Sequence, residues 1–190
     1  MANAQQWSAP MVPDTEDSYI LRMGILGYGS IGRQCARLAS APGMEVYAYT
    51  HGERATTESR REDAKQRSSI SGTGDLDGIL PAKWFHGSSQ DSVNDFLGQG
   101  LDVLVISLPL TPGTQKLISS GQFSILSKKR TFVINVARGR HVDTQALITA
   151  LEQARSEVRP SMSLIPSLYH RAILCGQPRM CSSLLMLAGA

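Results

Sequence analysis

An α/β fold with a doubly wound parallel sheet and helices on both faces is predicted by three observations. Apolar strand-length runs alternate with amphipathic helix-length segments between residues 20 and 153. The runs are apolar throughout, as strands buried on both faces require. A glycine-rich turn, Gly24-Ile-Leu-Gly-Tyr-Gly-Ser-Ile-Gly32, joins the first strand to the first helix.

Residues 1–19 are polar, with two prolines, and read as a loose lead-in. Tyr19–Leu26 is a short apolar run ending in glycines, hence a buried strand. Ser30–Ser40 carries Ile31, Cys35, Leu38 and Ala39 at helical spacing, and Pro42-Gly43 stops it. Met44–Thr50 is a second strand. From His51 to about Gly74 the chain is charged, Ser/Thr-rich and poor in large apolar residues; a surface excursion, partly disordered, is expected there. Ser89–Leu97 reads as a short helix and Leu101–Leu108 as a strongly apolar strand closed by Pro109. Thr114–Leu126 is expected to be helical, with Leu117, Ile118, Phe123 and Leu126 on one side. Thr131–Val136 is another strand, and Thr144–Gln153 a helix with Leu147, Ile148 and Leu151 inward. Residues 154–190 break this grammar: they are apolar without clear periodicity and are expected to be poorly ordered.

Composition narrows the function classes. A chain of 190 residues, 42% hydrophobic, suffices for one domain with a real core. Its net charge of +3 is not a basic stripe. Up to Gln153 the basic and acidic residues balance, and the surplus comes from Arg155, Arg159, Arg171 and Arg179 against Glu157. Nucleic-acid binding is therefore not expected. No apolar run approaches the roughly 20 residues of a membrane span, and the polar, acidic N-terminus has no signal-peptide pattern. Three cysteines without C-x-x-C spacing argue against a disulfide framework and a zinc site, so no metal and a cytoplasmic setting are expected.

A lone GxGxxG is weak evidence, but here it follows a strand, opens a helix and leads to a second strand at the βαβ distance, as in a Rossmann-type dinucleotide domain. Gly27 permits the tight turn, Gly29 lets the backbone approach a pyrophosphate, and Gly32 lets helix and strand pack closely. The helix N-terminus, with free N–H groups and a favourable dipole, would take the negative charge. An NAD site places Asp or Glu at the end of the second strand, on the ribose hydroxyls. This chain has Tyr49-Thr50-His51 there, with Arg54 beyond, so NAD and NADP both remain open.

Two further segments complete a specific pattern: Val105-Ile-Ser-Leu-Pro-Leu-Thr-Pro-Gly-Thr114 with Leu117-Ile118, and Phe132-Val-Ile-Asn-Val-Ala-Arg-Gly-Arg-His-Val-Asp143 with Ala146-Leu147. With the glycine turn, they make the chain from about Ile20 to Gln153 resemble the D-isomer-specific 2-hydroxyacid dehydrogenases. The excursion from His51 to Phe85 is longer than that family's core expects. The resemblance implies that Ser30 and Ile31 lie along the pyrophosphate and Thr50 near the adenosine ribose. It implies that Leu108, Pro109 and Thr114 line the adenosine and ribose side of the cleft, with Val136 and Ala137 near the nicotinamide ribose. Arg138 would be the catalytic arginine, holding the carboxylate of a 2-hydroxy or 2-oxo acid and polarising its C2 oxygen; a planar fork suits that task. Asn135 and Asp143 read as structural, at a strand end and a helix N-cap, and His51, His86 and His141 as surface loop residues.

The family's mechanism also needs a histidine acid/base and a glutamate that raises its pKa. Neither the family's GAALDVTDPEPLP-like segment nor its TPH motif occurs in this sequence, and the setting of His170 resembles nothing in the family. Codons for LDVTDPEPLPPGHPLW read one base late yield residues 161–175 as they stand, so a frame slip near Gln153-Ala154 is expected to have produced the tail. The half of the substrate domain that precedes the cofactor domain in the family has no counterpart either. The sheet is accordingly expected to be incomplete at its C-terminal edge, with uncovered apolar faces prone to aggregation or to a partner. Three functions stay open: an oxidoreductase acting on D-2-hydroxy acids, a catalytically inactive fragment that binds nucleotide or a partner, and a corepressor-like interaction protein. A homodimer through the cofactor domain is the assembly that the resemblance implies.

Overall fold

The computed structural model describes residues 17–62 and 72–157. The expectations for residues before 17, for part of the excursion and for residues 158–190 of the expected tail lie outside the described residues. Five strands, β1 (Arg22–Leu26), β2 (Glu45–Thr50), β3 (Lys83–His86), β4 (Val103–Ile106) and β5 (Phe132–Asn135), form one sheet in the order β3-β2-β1-β4-β5. Every pairing is parallel. The helices are α1 (Ser30–Ser40), α2 (Thr57–Arg60), α3 (Gln90–Leu97), α4 (Ser120–Ser127) and α5 (Thr144–Glu157).

Successive strand residues feed two cores, one on each face. Ile25, Val46, Ala48 and Val105 pack with Ala36 and Ala39 of α1. Leu26, Tyr47, Tyr49, Leu104 and Ile106 pack with Phe96 and Leu97 of α3 and Phe123 and Leu126 of α4. Both sets are buried, which is why the strands read as unbroken apolar runs. The doubly wound parallel sheet is thus the observed architecture. Among the described residues β5 has a single neighbour, β4.

Several details differ from the sequence-based expectation. Before β1, Ser18–Ile20 forms a 3-10 turn capped by the Asp17 carboxylate. β3 is not predicted at all: four residues bounded by Pro81 and Gly87 carry no readable periodicity, yet they pair with Tyr47–Thr50 in register. The expected helix over Thr114–Leu126 does not start until Ser120. Pro112–Thr114 is a 3-10 turn, and Lys116, at φ 51°, takes a left-handed conformation that ends helical continuity. Ile118 then bridges to Val142, and Ser119 and Gln122 make a capping box that opens α4. α5 runs on to Glu157, beyond Gln153.

Candidate functional site

The glycine turn lies between β1 and α1, and each glycine answers a different constraint. Gly27 sits at φ +101°, and a Cβ there would meet the Ser107 and Leu108 backbone at 3.0 Å. A Cβ on Gly32 would overlap the Gly27 carbonyl oxygen and lie 3.0 Å from Ile25 Cγ2. Gly29 has nothing within 4 Å of its would-be Cβ. It is also the N-cap of α1, without a side-chain cap and with no acidic residue in the first turn. Open space at this end of the helix fits the pyrophosphate of a dinucleotide, since a Cβ on Gly29 would fill that space.

The strand order places this turn at the sheet's switch point. The chain moves from β1 outward through β2 and β3, then returns to continue with β4 and β5 on the other side. A crevice therefore lies beyond the carboxyl ends of β1 and β4. There Ser107 Oγ donates to the Gly27 carbonyl at 2.6 Å, and Ser107 N donates to Leu26 O at 2.9 Å. Leu108 and Pro109 follow, and Thr114 Oγ1 folds their loop by donating to Pro109 O at 2.9 Å. Ile31 at 57%, Leu110 at 37% and Val136 at 37% exposure supply an apolar rim.

After β5, Asn135 shapes the turn: its Oδ1 accepts from Ala137 N and its Nδ2 donates to Arg138 O, both at 3.0 Å. Arg138 is exposed, with Nη1 on the Ala137 carbonyl at 2.9 Å. Thr50 closes β2 and donates to Gly52 O at 2.8 Å. The Arg54 guanidinium donates to Ser59 O within its own turn. Gly27, Gly29, Ser30, Ile31, Gly32, Leu108, Pro109, Val136, Ala137 and Arg138 all follow carboxyl ends of strands and Thr50 ends one, whereas Arg54 lies farther along the excursion.

His141 corrects the expectation of a surface residue. It is fully buried, with Nδ1 2.9 Å from Thr114 O and Nε2 3.0 Å from Leu108 O. Its own N–H donates to Arg138 O, and its carbonyl accepts from Ile118 N. One side chain thus ties the loop after β4 to the turn that bears Arg138. His51 and His86 are exposed, and His170 lies outside the described residues. Asp143 caps α5, accepting from Gln145 N at 3.0 Å and Ala146 N at 3.2 Å. The Lys116 ammonium, 3.0 Å away, and these amides hold its carboxyl below the ordinary carboxylate value.

The excursion is docked rather than loose where it is described. Ser30, Arg33, Gln34 and Arg37, a stripe at helical spacing on α1, all bond to it. Ser30 Oγ donates to Glu62 Oε1 at 2.7 Å, Arg33 to Arg60 O at 2.7 Å and to Asp75 O, and Gln34 Oε1 accepts from Gly74 N at 2.7 Å. Buried Asp75 accepts from the Tyr28 hydroxyl at 2.7 Å and from the amides of Ile79 and Leu80. Burial, then the Asp75 bond, push the Tyr28 hydroxyl far above its ordinary range, so it stays a donor. Sequence reasoning missed Asp75 and Glu62, because neither belongs to a local motif and their partners are 47 and 32 residues away. Among the described residues no group of three or more His, Cys, Asp or Glu converges as a metal site would require.

Comparison with known proteins extends this geometry. The family described as D-isomer specific 2-hydroxyacid dehydrogenase, NAD binding domain, is matched over residues 1–72 and 82–158. The chain is 31% identical over 137 residues to the glyoxylate reductase of Thermococcus kodakarensis, covering 72% of this chain and 33% of that protein. It thus spans about a third of the length of the curated relatives it matches. A D-isomer specific 2-hydroxyacid dehydrogenase from Lactobacillus delbrueckii ssp. bulgaricus, solved as its NAD complex, superposes with a TM-score of 0.55 at 26% identity. That match covers 74% of this chain and 34% of the other. One from Xanthobacter autotrophicus Py2, solved with NADPH and MES, gives 0.54 at 28% identity over 80% of this chain and 55% of the other.

Proposed function

We propose, from the premise that the chain belongs to the D-isomer-specific 2-hydroxyacid dehydrogenase family and forms its NAD-binding domain, that residues around the Gly27–Gly32 turn hold NAD or NADP for oxidation of a D-2-hydroxy acid or reduction of its 2-oxo partner. The observation that carries this reading is the open space at Gly29, at the N-terminal end of α1 and beside the crevice between β1 and β4. The backbone of Ser30 and Ile31 lies along the pyrophosphate with Gly27, Gly29 and Gly32, while the Ser30 hydroxyl donates to Glu62. Thr50 and Arg54 serve the adenosine ribose. Leu108, Pro109 and Thr114 line the adenosine side, and Val136 and Ala137 approach the nicotinamide ribose.

When bound, the nicotinamide supplies the hydride acceptor or donor. Arg138 acts on the substrate, in the whole enzyme of which this domain is one part. Its guanidinium grips the acid's carboxylate and draws electron density from the C2 oxygen, which favours hydride arrival at C2. Asn135 and His141 hold the Arg138 backbone in place through the bonds described above. The substrate class is a small 2-hydroxy or 2-oxo acid. A homodimer through the cofactor domain in the cytoplasm, without nucleic-acid or membrane partners, completes the reading. No helix among the described residues is long and apolar enough to cross a membrane.

Titration of the full chain with NADH or NADPH, followed by nicotinamide fluorescence, tests the cofactor site. Saturable enhancement that ADP-ribose reverses supports the reading; a linear, non-saturable signal with both nucleotides overturns it. For the substrate role, Arg138→Gln in the whole enzyme is expected to raise KM and lower kcat for glyoxylate while leaving NADH affinity unchanged.

A further inference from the structure

The end of β2, where a ribose-binding carboxylate is expected, offers Thr50, whose hydroxyl is turned onto Gly52 O. The cation expected to serve a 2′-phosphate, Arg54, donates its guanidinium to Ser59 O, and Arg60 Nε in turn donates to Arg54 O at 2.9 Å. That turn is folded upon itself. The acidic group that reaches the glycine turn comes from farther along. Glu62 is half-buried, its backbone N–H donates to Leu76 O at 2.9 Å, and its Oε1 accepts from Ser30 Oγ at 2.7 Å. The contacts of Arg33, Gln34 and Arg37 with Arg60, Gly74 and Asp75 fix the described parts of the excursion along α1, with Glu62 at the N-terminal end of that helix.

We infer that Glu62 is the residue by which this site selects NAD(H) over NADP(H), an inference that rests on the nucleotide-binding reading above. A carboxylate beside the glycine turn accepts hydrogen bonds from ribose hydroxyls. It repels a 2′-phosphate, which carries close to two negative charges at neutral pH. The excursion thereby restores, from a sequence-distant position, the acidic group that the end of β2 lacks. Ser30 positions the carboxylate by donating to one of its oxygens, which leaves the other free for a ligand hydroxyl.

The test compares NADH with NADPH by fluorescence titration of the full chain and of Glu62→Gln, which removes the charge but keeps an acceptor for Ser30. Displacement of NADH by 5′-AMP and by 2′,5′-ADP provides the same comparison without the nicotinamide. The wild-type chain is expected to bind NADH about tenfold more tightly than NADPH, a modest electrostatic discrimination. In Glu62→Gln the ratio is expected to fall to within about threefold, mainly through tighter NADPH binding. Equal or tighter binding of NADPH by the wild type, or an unchanged ratio in Glu62→Gln, overturns the inference while the nucleotide site stands. Binding of neither nucleotide overturns both.

Discussion

Replacing His141 with leucine is expected to destabilise the domain far more than a loop histidine ordinarily allows. The ring is fully buried and both nitrogens meet carbonyl oxygens, Thr114 O at 2.9 Å and Leu108 O at 3.0 Å. Leucine fills a similar volume but offers no donor. Each carbonyl left without a partner costs about 1–2 kcal/mol, and the extra apolar burial returns about 1 kcal/mol, for a net loss of about 1–3 kcal/mol. For a domain of roughly 150 residues that corresponds to a fall in Tm of about 3–9 °C, measurable by circular dichroism. His141→Gln, which retains a donor, is expected to lose about half as much. Amide exchange at Ile118, whose N–H is held by the His141 carbonyl, should quicken in parallel. A Tm for His141→Leu within about 2 °C of wild type would refute the claim that this ring holds the two loops together.

Three further outcomes follow from the same geometry. Gly29→Ala is expected to fold with an unchanged Tm but to lose NADH binding by fluorescence, since its Cβ enters open space; Gly32→Ala, whose Cβ overlaps the Gly27 carbonyl, should fail to give a cooperative melt. If Gly29→Ala binds normally, the pyrophosphate does not lie there. Asp143 is depressed in the folded state, chiefly by Lys116, so its stabilisation is present above the ordinary value of 3.8 and lost as pH falls through the lower folded value. The melting difference between wild type and Asp143→Asn should therefore be constant from about pH 5 to 7 and close on acidification; a gap unchanged down to about pH 2.5 contradicts this. Tyr28→Phe removes the buried hydroxyl that Asp75 accepts from at 2.7 Å and should cost about 1–2 kcal/mol in urea denaturation, whereas a neutral result would show that Asp75 is satisfied by its amides alone.

The parts of the fold visible in the sequence are those encoded locally. α1 spans Ser30–Ser40 as the glycine turn before it and Pro42-Gly43 after it predict, but of the expected apolar stripe Ile31 and Leu38 are exposed, and Ala36 and Ala39 face the sheet instead. β3 was hidden because its four residues owe their strand conformation to pairing with β2 across more than thirty positions. The late start of α4 depends on Lys116 and on Ile118 bridging to Val142, which no periodicity reveals. Burial of His141 was equally illegible: a polar residue between Arg140 and Val142 reads as surface until the loop after β4 supplies two carbonyls for its ring. The residues expected to border the crevice lie in contiguous motifs, whereas Glu62 and Asp75 meet Ser30 and Tyr28 only through the docking of the excursion along α1.

The short bond from Ser107 to the Gly27 carbonyl has a mechanical consequence. Gly27 has no room for a side chain against the Ser107 and Leu108 backbone, and Ser107 N is itself tied to the end of β1. The two loops that flank the crevice are thus riveted at their roots and can neither part nor slide when a ligand enters. Compliance is displaced outward, to the exposed loop tip around Leu110–Gly113. A ligand is then met by a fixed glycine turn on one side and a yielding loop tip on the other.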